Sequence, residues 1–254
     1  MMQLIVDIGN TDIVFGGFQE DQWVRSWRHP SDQLDSLETW WEETVLPESP
    51  ATWDRVVLSS VVPEATEEVY RFLLTKTALT PIRIGPSLFR RLEMEILKPD
   101  EIGADLVANA YASWHRFGTA CIAVDFGTAL TFTVVSAAGN IEGVAFAPGL
   151  KTAIHALFLQ AAQLPEVPLV LPETAIGKNT IHALQSGTML GYIGLVKEML
   201  ARIQEELGGT CKCIATGGLS GVLSPLHAYF DQVDKTLTLD GLRLLGEFAV
   251  RHPE

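Results

Sequence analysis

Two stretches of this chain share one pattern, and that pattern restricts the fold more than any other feature. "LIVDIGNTDIVFGGF", residues 4–18, begins as an apolar strand, breaks at Asp7-Ile8-Gly9-Asn10-Thr11 and resumes as a second apolar strand. "CIAVDFGTALTFTVV", residues 121–135, repeats the design with Asp125-Phe126-Gly127-Thr128 at the break. Asp7 and Asp125 lie 118 residues apart in a chain of 254. Such self-similarity predicts an internal duplication, an α/β protein of two halves at 1–117 and 118–254.

The flanking segments fill out each half. Residues 4–6 and 13–18 read as a hairpin, 56–62 ("VVLSSVV") as a buried strand stopped by Pro63, and 81–84 as a short strand. Residues 64–76 have helical spacing. A second helix starts at Pro99-Asp100, buries Ile102, Leu106 or Val107, Ala110 and Trp114, and ends at Gly118. The second half runs from "IEGVAFAPG" into a helix over 150–163 and a connection carrying Pro165, Pro168 and Pro172. A long helix over 180–207, a strand in "CIATGG" and a closing helix in "LTLDGLRLLGEFAV" follow. Ser186, Gly187, Gly191 and Gly194 on the long helix predict close packing against it, by the core or by a second subunit. Trp23, Trp27, Trp40 and Trp41 read as core or interface.

Composition excludes some functions. Eighteen basic residues against 31 acidic ones give a formal charge of −13. Nucleic acid and anionic membranes are bound by clustered Lys and Arg, so neither is expected as a partner. A hydrophobic fraction of 47% supports a sizeable core. Cys121, Cys211 and Cys213 form no zinc pattern, since Cys211-Lys212-Cys213 has no second pair. Without a basic, apolar leader or a run of about 20 apolar residues, the sequence reads as cytoplasmic.

The two breaks suit phosphate. Glycine admits backbone N–H groups close to an anion, short hydroxyl and amide side chains add hydrogen bonds, and a carboxylate holds a cation beside the phosphates. Asp7, Gly9, Asn10 and Thr11 supply this set once, and Asp125, Gly127 and Thr128 supply it again. Facing each other across a cleft, the two turns would grip a triphosphate. The plainer reading is a pair of ordinary hairpins. Gly177-Lys178-Asn179-Thr180 lacks the first glycine and final hydroxyl of a P-loop, and 217–221 lacks dinucleotide spacing.

Taken in order, "DIGNT", "SSVVP", "KPDEIGAD", "DFGTALTF", "APG", "IGKNT", "QSGTMLGY" and "ATGG" cover nearly the whole chain. The series resembles the type III pantothenate kinases, a family that includes proteins named Bvg accessory factors and belongs to the acetate and sugar kinase/actin superfamily. The resemblance implies two actin-like, ribonuclease H-like domains with a nucleotide cleft. It implies ATP-dependent phosphorylation of pantothenate to 4'-phosphopantothenate, the first step of coenzyme A synthesis. It also implies a homodimer, Mg²⁺, and potassium or ammonium. Carried over by motif, Asp7, Ile8, Gly9, Asn10, Thr11, Asp12, Ile13 and Val14 would line the ATP phosphates, with Mg²⁺ on Asp7 directly or through water. Asp105 would be the general base, and Gly103, Ala104 and Leu106 would border pantothenate with it. Asp125 would hold the monovalent cation and Thr128 would touch ATP. Thr216, Gly217 and Gly218 would lie against the nucleoside, and Thr180 would reach the partner subunit's substrate. At the start of its helix Asp105 would be kept ionised by the dipole, or would merely stabilise it; Thr180 would cap its helix as well as, or instead of, touching substrate.

Four residues depart from the family pattern. Leu106 stands where arginine is usual after "GAD", and leucine cannot pair with a carboxylate. "GTALTFT" has Leu130 for a hydroxyl residue and Thr133 for an acid, and "GVAFAPG" has Val144 for a glycine. A non-catalytic or repurposed nucleotide-binding homologue with a regulatory role is the alternative these departures raise. Basic residues such as Arg90, Arg91, Lys98 and Lys178 are candidates to compensate for the missing arginine.

Overall fold

Leu4, Ile5, Val6 and Ile8 are all fully buried, so the first strand has core on both faces. Only a central strand of a sheet covered on both sides meets that condition. The computed structural model describes residues 1–49, 52–160, 167–218, 220 and 224–253. In chain order the first half runs β1 (Met2–Ile8), β2 (Asp12–Gln19), β3 (Gln22–Pro30), α1 (Leu37–Trp40), β4 (Arg55–Ser60), α2 (Pro63–Thr77), β5 (Ile82–Arg83), α3 (Pro86–Phe89) and α4 (Ala104–Phe117). Next come β6 (Cys121–Phe126), β7 (Ala129–Val135), β8 (Ile141–Pro148), α5 (Leu150–Gln160), α6 (Thr180–Gln185), α7 (Gly191–Glu206), β9 (Lys212–Thr216), β10 (Gln232–Val233) and α8 (Leu237–Arg251).

The duplication is visible in the topology. One sheet has the order β3-β2-β1-β4-β5 and the other β8-β7-β6-β9-β10. In each, the first three strands pair antiparallel and the last two run parallel to the central one. Strand for strand, β1 corresponds to β6, β2 to β7 and β4 to β9.

The chain divides into two compact units, 1–112 with 237–254, and 113–236. The sequence boundary at 117/118 lies close to the first crossing, but the closing helix, read as part of the second half, packs in the first unit. Gly241 explains how: a Cβ there would strike the Ala108 carbonyl of α4, so only glycine lets the two helices approach this closely. Thr238 Oγ1 donates to Asn109 Oδ1 at 2.9 Å beside that contact, and Gly246 lies against Val57 of β4. The other face of this sheet carries Leu4, Val6, Ile8, Phe15, Trp27, Trp41, Val69 and Leu73 in one apolar cluster. In the second unit Ile122, Val124, Phe126, Leu130 and Phe132 of the sheet pack on Met189, Tyr192, Val196 and Leu200.

Several elements differ from the sequence expectation. β3 lies beyond the predicted hairpin, and the turns around Trp40 and Trp41 were not anticipated. α4 begins at Ala104 rather than near Pro99. The helix over 150–163 is seen to Gln160, with 161–163 and Pro165 outside the described residues. The long helix is continuous from Thr180 to Glu206 but widens into a π turn at Ser186–Leu190, where the Thr188 hydroxyl bonds back to the Leu184 carbonyl.

Gly241→Ala should destabilise the first unit by about 1–3 kcal/mol, the usual cost of overpacking a tight contact. Urea denaturation read by tryptophan fluorescence checks this, because the tryptophans at 27 and 41 sit in that unit's core.

Candidate active site

β1 ends at Ile8 and β2 begins at Asp12, with the Gly9 N–H donating to the Asp12 carbonyl at 3.0 Å to close the turn. Ser31 holds the turn from behind. Its N–H donates to the Thr11 carbonyl at 2.9 Å and its hydroxyl to the Gly9 carbonyl at 2.6 Å. The carbonyls of residues 9, 11 and 12 therefore carry bonds within the protein. What the turn offers a ligand is donor chemistry and the exposed side chains of Asn10 and Thr11. Ile8 and Ile13, both fully buried, face the core and contribute backbone alone. Half-buried Asp7 sits in register with Val14 and Ser59. The Ser59 hydroxyl is buried without a hydrogen-bond partner among the described residues.

Val61 connects this turn to the "GAD" segment of the same unit. Its N–H donates to the Ile8 carbonyl at 3.0 Å, and its Cγ1 would lie 3.5 Å from a Cβ at Gly103. That Cβ would also strike the Asp105 carboxylate, which folds back over Gly103. Asp105 Oδ1 accepts from the Leu106 N–H at 2.9 Å. Burial pushes the Asp105 carboxyl above the ordinary 3.8, outweighing the backbone hydrogen bonds that lower it. The expectation that its helix position would lower its basicity is thus corrected, because desolvation prevails. Val61 is also one wall of an open cavity of about 400 Å³, whose other walls are Ser60, Pro63, Thr66 and Glu67. Ala104 and Leu106 are buried.

The second unit repeats the construction with one residue fewer in the loop. Ile8 pairs with Ile13 across residues 9–12, whereas Phe126 pairs with Leu130 across 127–129. Gly127 N–H donates to the Ala129 carbonyl at 3.1 Å. The Thr128 carbonyl accepts from the Gly149 N–H at 3.0 Å and from the Thr152 hydroxyl at 2.8 Å. A Cβ on Gly149 would collide with the carbonyl oxygens of Gly127 and Thr128, so the "APG" glycine is a direct buttress of the turn. Half-buried Asp125 is in register with Thr216 on one side and Thr131 on the other. Gly217, at φ +88°, comes so near that any Cβ would meet the Asp125 carboxylate and the Phe126 backbone. The structure thus gathers Asp125, Thr216 and Gly217 at one strand end, with Gly218 exposed beside them. Thr180 is exposed at the first residue of α6. The cap there is Asn179, whose Oδ1 accepts the His182 N–H at 2.9 Å. Capping by Thr180 itself is therefore set aside. Ser31 and Thr152 were missed from sequence, since an isolated serine or threonine has no signature beyond its type.

A family model described as type III pantothenate kinase matches residues 3–202. A type III pantothenate kinase of Moorella thermoacetica is 38% identical, the alignment covering 97% of this chain and 99% of that one. The chain belongs to the type III pantothenate kinase family. Among solved structures, a Baf family protein from Campylobacter jejuni superimposes with TM-score 0.60 at 18% identity, over 98% of this chain and all of that one. MreB 5 of Spiroplasma citri, bound to AMPPNP, gives 0.57 at 8% identity over 98% and 97%. These two likenesses show the actin-like fold of two α/β domains.

Against the family pattern, the four departures resolve into separate packing events. Leu130 is a core residue of the second unit, fully buried among Phe126 and Phe132. Thr133 and Val144 are directly opposed across β7 and β8, so the lost acid and the gained branched side chain are neighbours in one row of the sheet. Thr133 is two positions along β7 from Thr131, the residue in register with Asp125. Leu106 is 6% exposed and presents no side chain for a ligand to pair with.

The raised Asp105 carboxyl gives a stability prediction with a definite sign. An acid whose folded value exceeds its unfolded one binds its proton more tightly when folded, so its ionisation destabilises the protein as pH rises past 3.8. Asp105→Asn should raise Tm at neutral pH, and the gain should vanish well below 3.8. Calorimetry across that range reads it.

Proposed function

We propose that this protein transfers the γ-phosphoryl group of ATP to the hydroxyl of pantothenate, the opening step of coenzyme A synthesis. Support comes above all from Asp105, a desolvated carboxylate held over Gly103, with Val61 joining that segment to an open cavity in the size range of small-molecule sites, ~300–1,000 Å³. The hydroxyl oxygen attacks the γ-phosphorus, the bond to the bridging β–γ oxygen breaks, and the hydroxyl proton passes to Asp105. Phosphoryl transfer asks the protein mainly for positioning and charge stabilisation, and a base raised by burial suits the proton's late departure.

In this reading the turn at 9–12 offers phosphate its backbone N–H groups and the side chains of Asn10 and Thr11, and the turn at 127–129, with Thr128, offers the same kind of donors within its own unit. Thr216, Gly217 and Gly218 lie against the nucleoside. No group of three or more His, Cys, Asp or Glu side chains suited to a metal occurs among the described residues. In this reading Mg²⁺ would be held by one carboxylate, Asp7, with phosphate and water completing its shell. Bound there, it would neutralise charge on the β- and γ-phosphates. Asp125, with the hydroxyl residues Thr131 and Thr216 in register, is an all-oxygen neighbourhood suited to potassium or ammonium.

The same reading includes a homodimer in which Thr180 reaches the partner subunit's substrate. Gly187, Gly191 and Gly194 are exposed, and a Cβ at any of them would meet open space. Exposed helical glycine costs roughly 1 kcal/mol relative to alanine, so three at one-turn spacing make sense where another helix approaches closely. No described helix is long and apolar enough to cross a membrane, and the substrates proposed are cytoplasmic.

ADP release measured with and without pantothenate tests the function. Pantothenate-dependent turnover should fall by ~10²-fold or more in Asp105→Asn, within the usual contribution of a general base. ATP binding without turnover on pantothenate would overturn the proposal. Replacing K⁺ by Na⁺ should lower the rate, and equal rates would remove the cation from Asp125. Gly191→Ala should stabilise an isolated protomer by about 1 kcal/mol while weakening the dimer in sedimentation equilibrium.

A further inference from the structure

The proposed acceptor carries a carboxylate, and a bound carboxylate needs either a cation or water. Leu106, next to the base, supplies neither. Of the basic side chains just before it, Arg90 is paired with Asp100 and Lys98 with Glu101 at 2.9 Å, and neither lines the cavities described next.

A second cavity of about 260 Å³ adjoins the first, the two sharing Ser60 and Thr66 as walls. The shared wall is already satisfied. Ser60 Oγ donates to the Val62 carbonyl at 3.1 Å and accepts the Val62 N–H at 3.0 Å. Thr66 Oγ1 lies 2.8 Å from both the Ser60 hydroxyl and the Val62 carbonyl. The first cavity carries one acid in its wall, Glu67, and positive charge enters only farther along, where β5 ends. Among the described residues lining either cavity, Arg83 is the one cation. Its guanidinium is fixed from two sides by α2. Nη1 and Nη2 donate to the two oxygens of Glu67 at 2.6 and 3.1 Å, and the group stacks 3.9 Å from the centroid of the Tyr70 ring.

We propose that Arg83 recognises the acceptor's carboxylate, the hydroxyl end lying in the first cavity toward Asp105 and the acid end reaching the second. The assignment rests on the pantothenate reading given above. Glu67 reduces the net charge but leaves donors on a guanidinium that has five. By holding the planar fork still, it also removes the ordering cost that a loose arginine would carry on binding. Recognition is then by directed N–H bonds, which distinguishes arginine here from any diffuse positive field. Panthenol, the same molecule with an alcohol in place of the acid, has no anion to pair with the guanidinium and loses the two-charge bond.

Steady-state kinetics on both acceptors, for the wild type, Arg83→Gln and Arg83→Lys, test the assignment. The Arg83 side chain is 47% exposed, so these changes leave the core untouched. Arg83→Gln should raise KM for pantothenate about tenfold or more with kcat nearly unchanged, and KM for panthenol by less than about twofold, as expected for one lost charge-assisted bond. Arg83→Lys should recover part of the loss, for pantothenate alone. An equal shift for both acceptors would make Arg83 structural, and no shift for either would remove it from the site. A wild type inactive on both acceptors overturns the kinase reading and this assignment together. A wild type active on pantothenate but indifferent to Arg83 overturns this assignment only.

Discussion

Each sheet is built around a central strand hydrogen-bonded on both sides, antiparallel to one neighbour and parallel to the other, and each such strand carries an aspartate near its end. Pairing on both edges removes the freedom to slip, because a one-residue shift would turn Leu4, Val6 and Ile8, or Ile122, Val124 and Phe126, out of their cores. The carboxylates of Asp7 and Asp125 are thereby held in place by the cores beneath them. The turns that follow are braced by bonds to their own carbonyls, from Ser31 in one unit and from Gly149 and Thr152 in the other. Core packing, register and turn form one chain of causes ending in two acidic corners.

Stability is given up where chemistry asks for it. Asp105 is a carboxylate whose burial disfavours its charged form, next to Ala104 and Leu106 in a helix otherwise rich in core side chains. A protein selected only to fold would place an apolar residue there. By contrast, the residues that looked anomalous against the family pattern are packed within the second unit: Leu130 in its core, and Thr133 opposite Val144 in its sheet, with the Thr133 hydroxyl buried and unpartnered among the described residues. Departures at such positions alter the fit of side chains to one another and leave the acidic corners and Asp105 in place.

The hairpins were legible because their apolar runs are broken by Asp-x-Gly, and the duplication because the break occurs twice. β3 was not, since Gln22, Arg25 and Ser26 are exposed along an edge strand and only Trp27 and His29 turn inward. The importance of "APG" and "ATGG" was legible as motif. Its physical reason was not, because the collisions that demand Gly149 and Gly217 involve a turn some 20 and 90 residues away in sequence. The dipole argument for Asp105 failed for a related reason: position on a helix can be read locally, but desolvation depends on everything packed around it. Arg83 gave no local signal at all, being one arginine among several until Glu67 and Tyr70 are seen to hold it.

The contact between Gly241 and Ala108 has a consequence for the order of events on the ribosome. The opening 112 residues emerge first, yet the helix that covers one face of their sheet is made after the whole second unit. Until that helix arrives, Val57 on the sheet lacks the cover that Gly246 brings to it. The first unit to be synthesised therefore cannot be completed before the last residues of the chain are made.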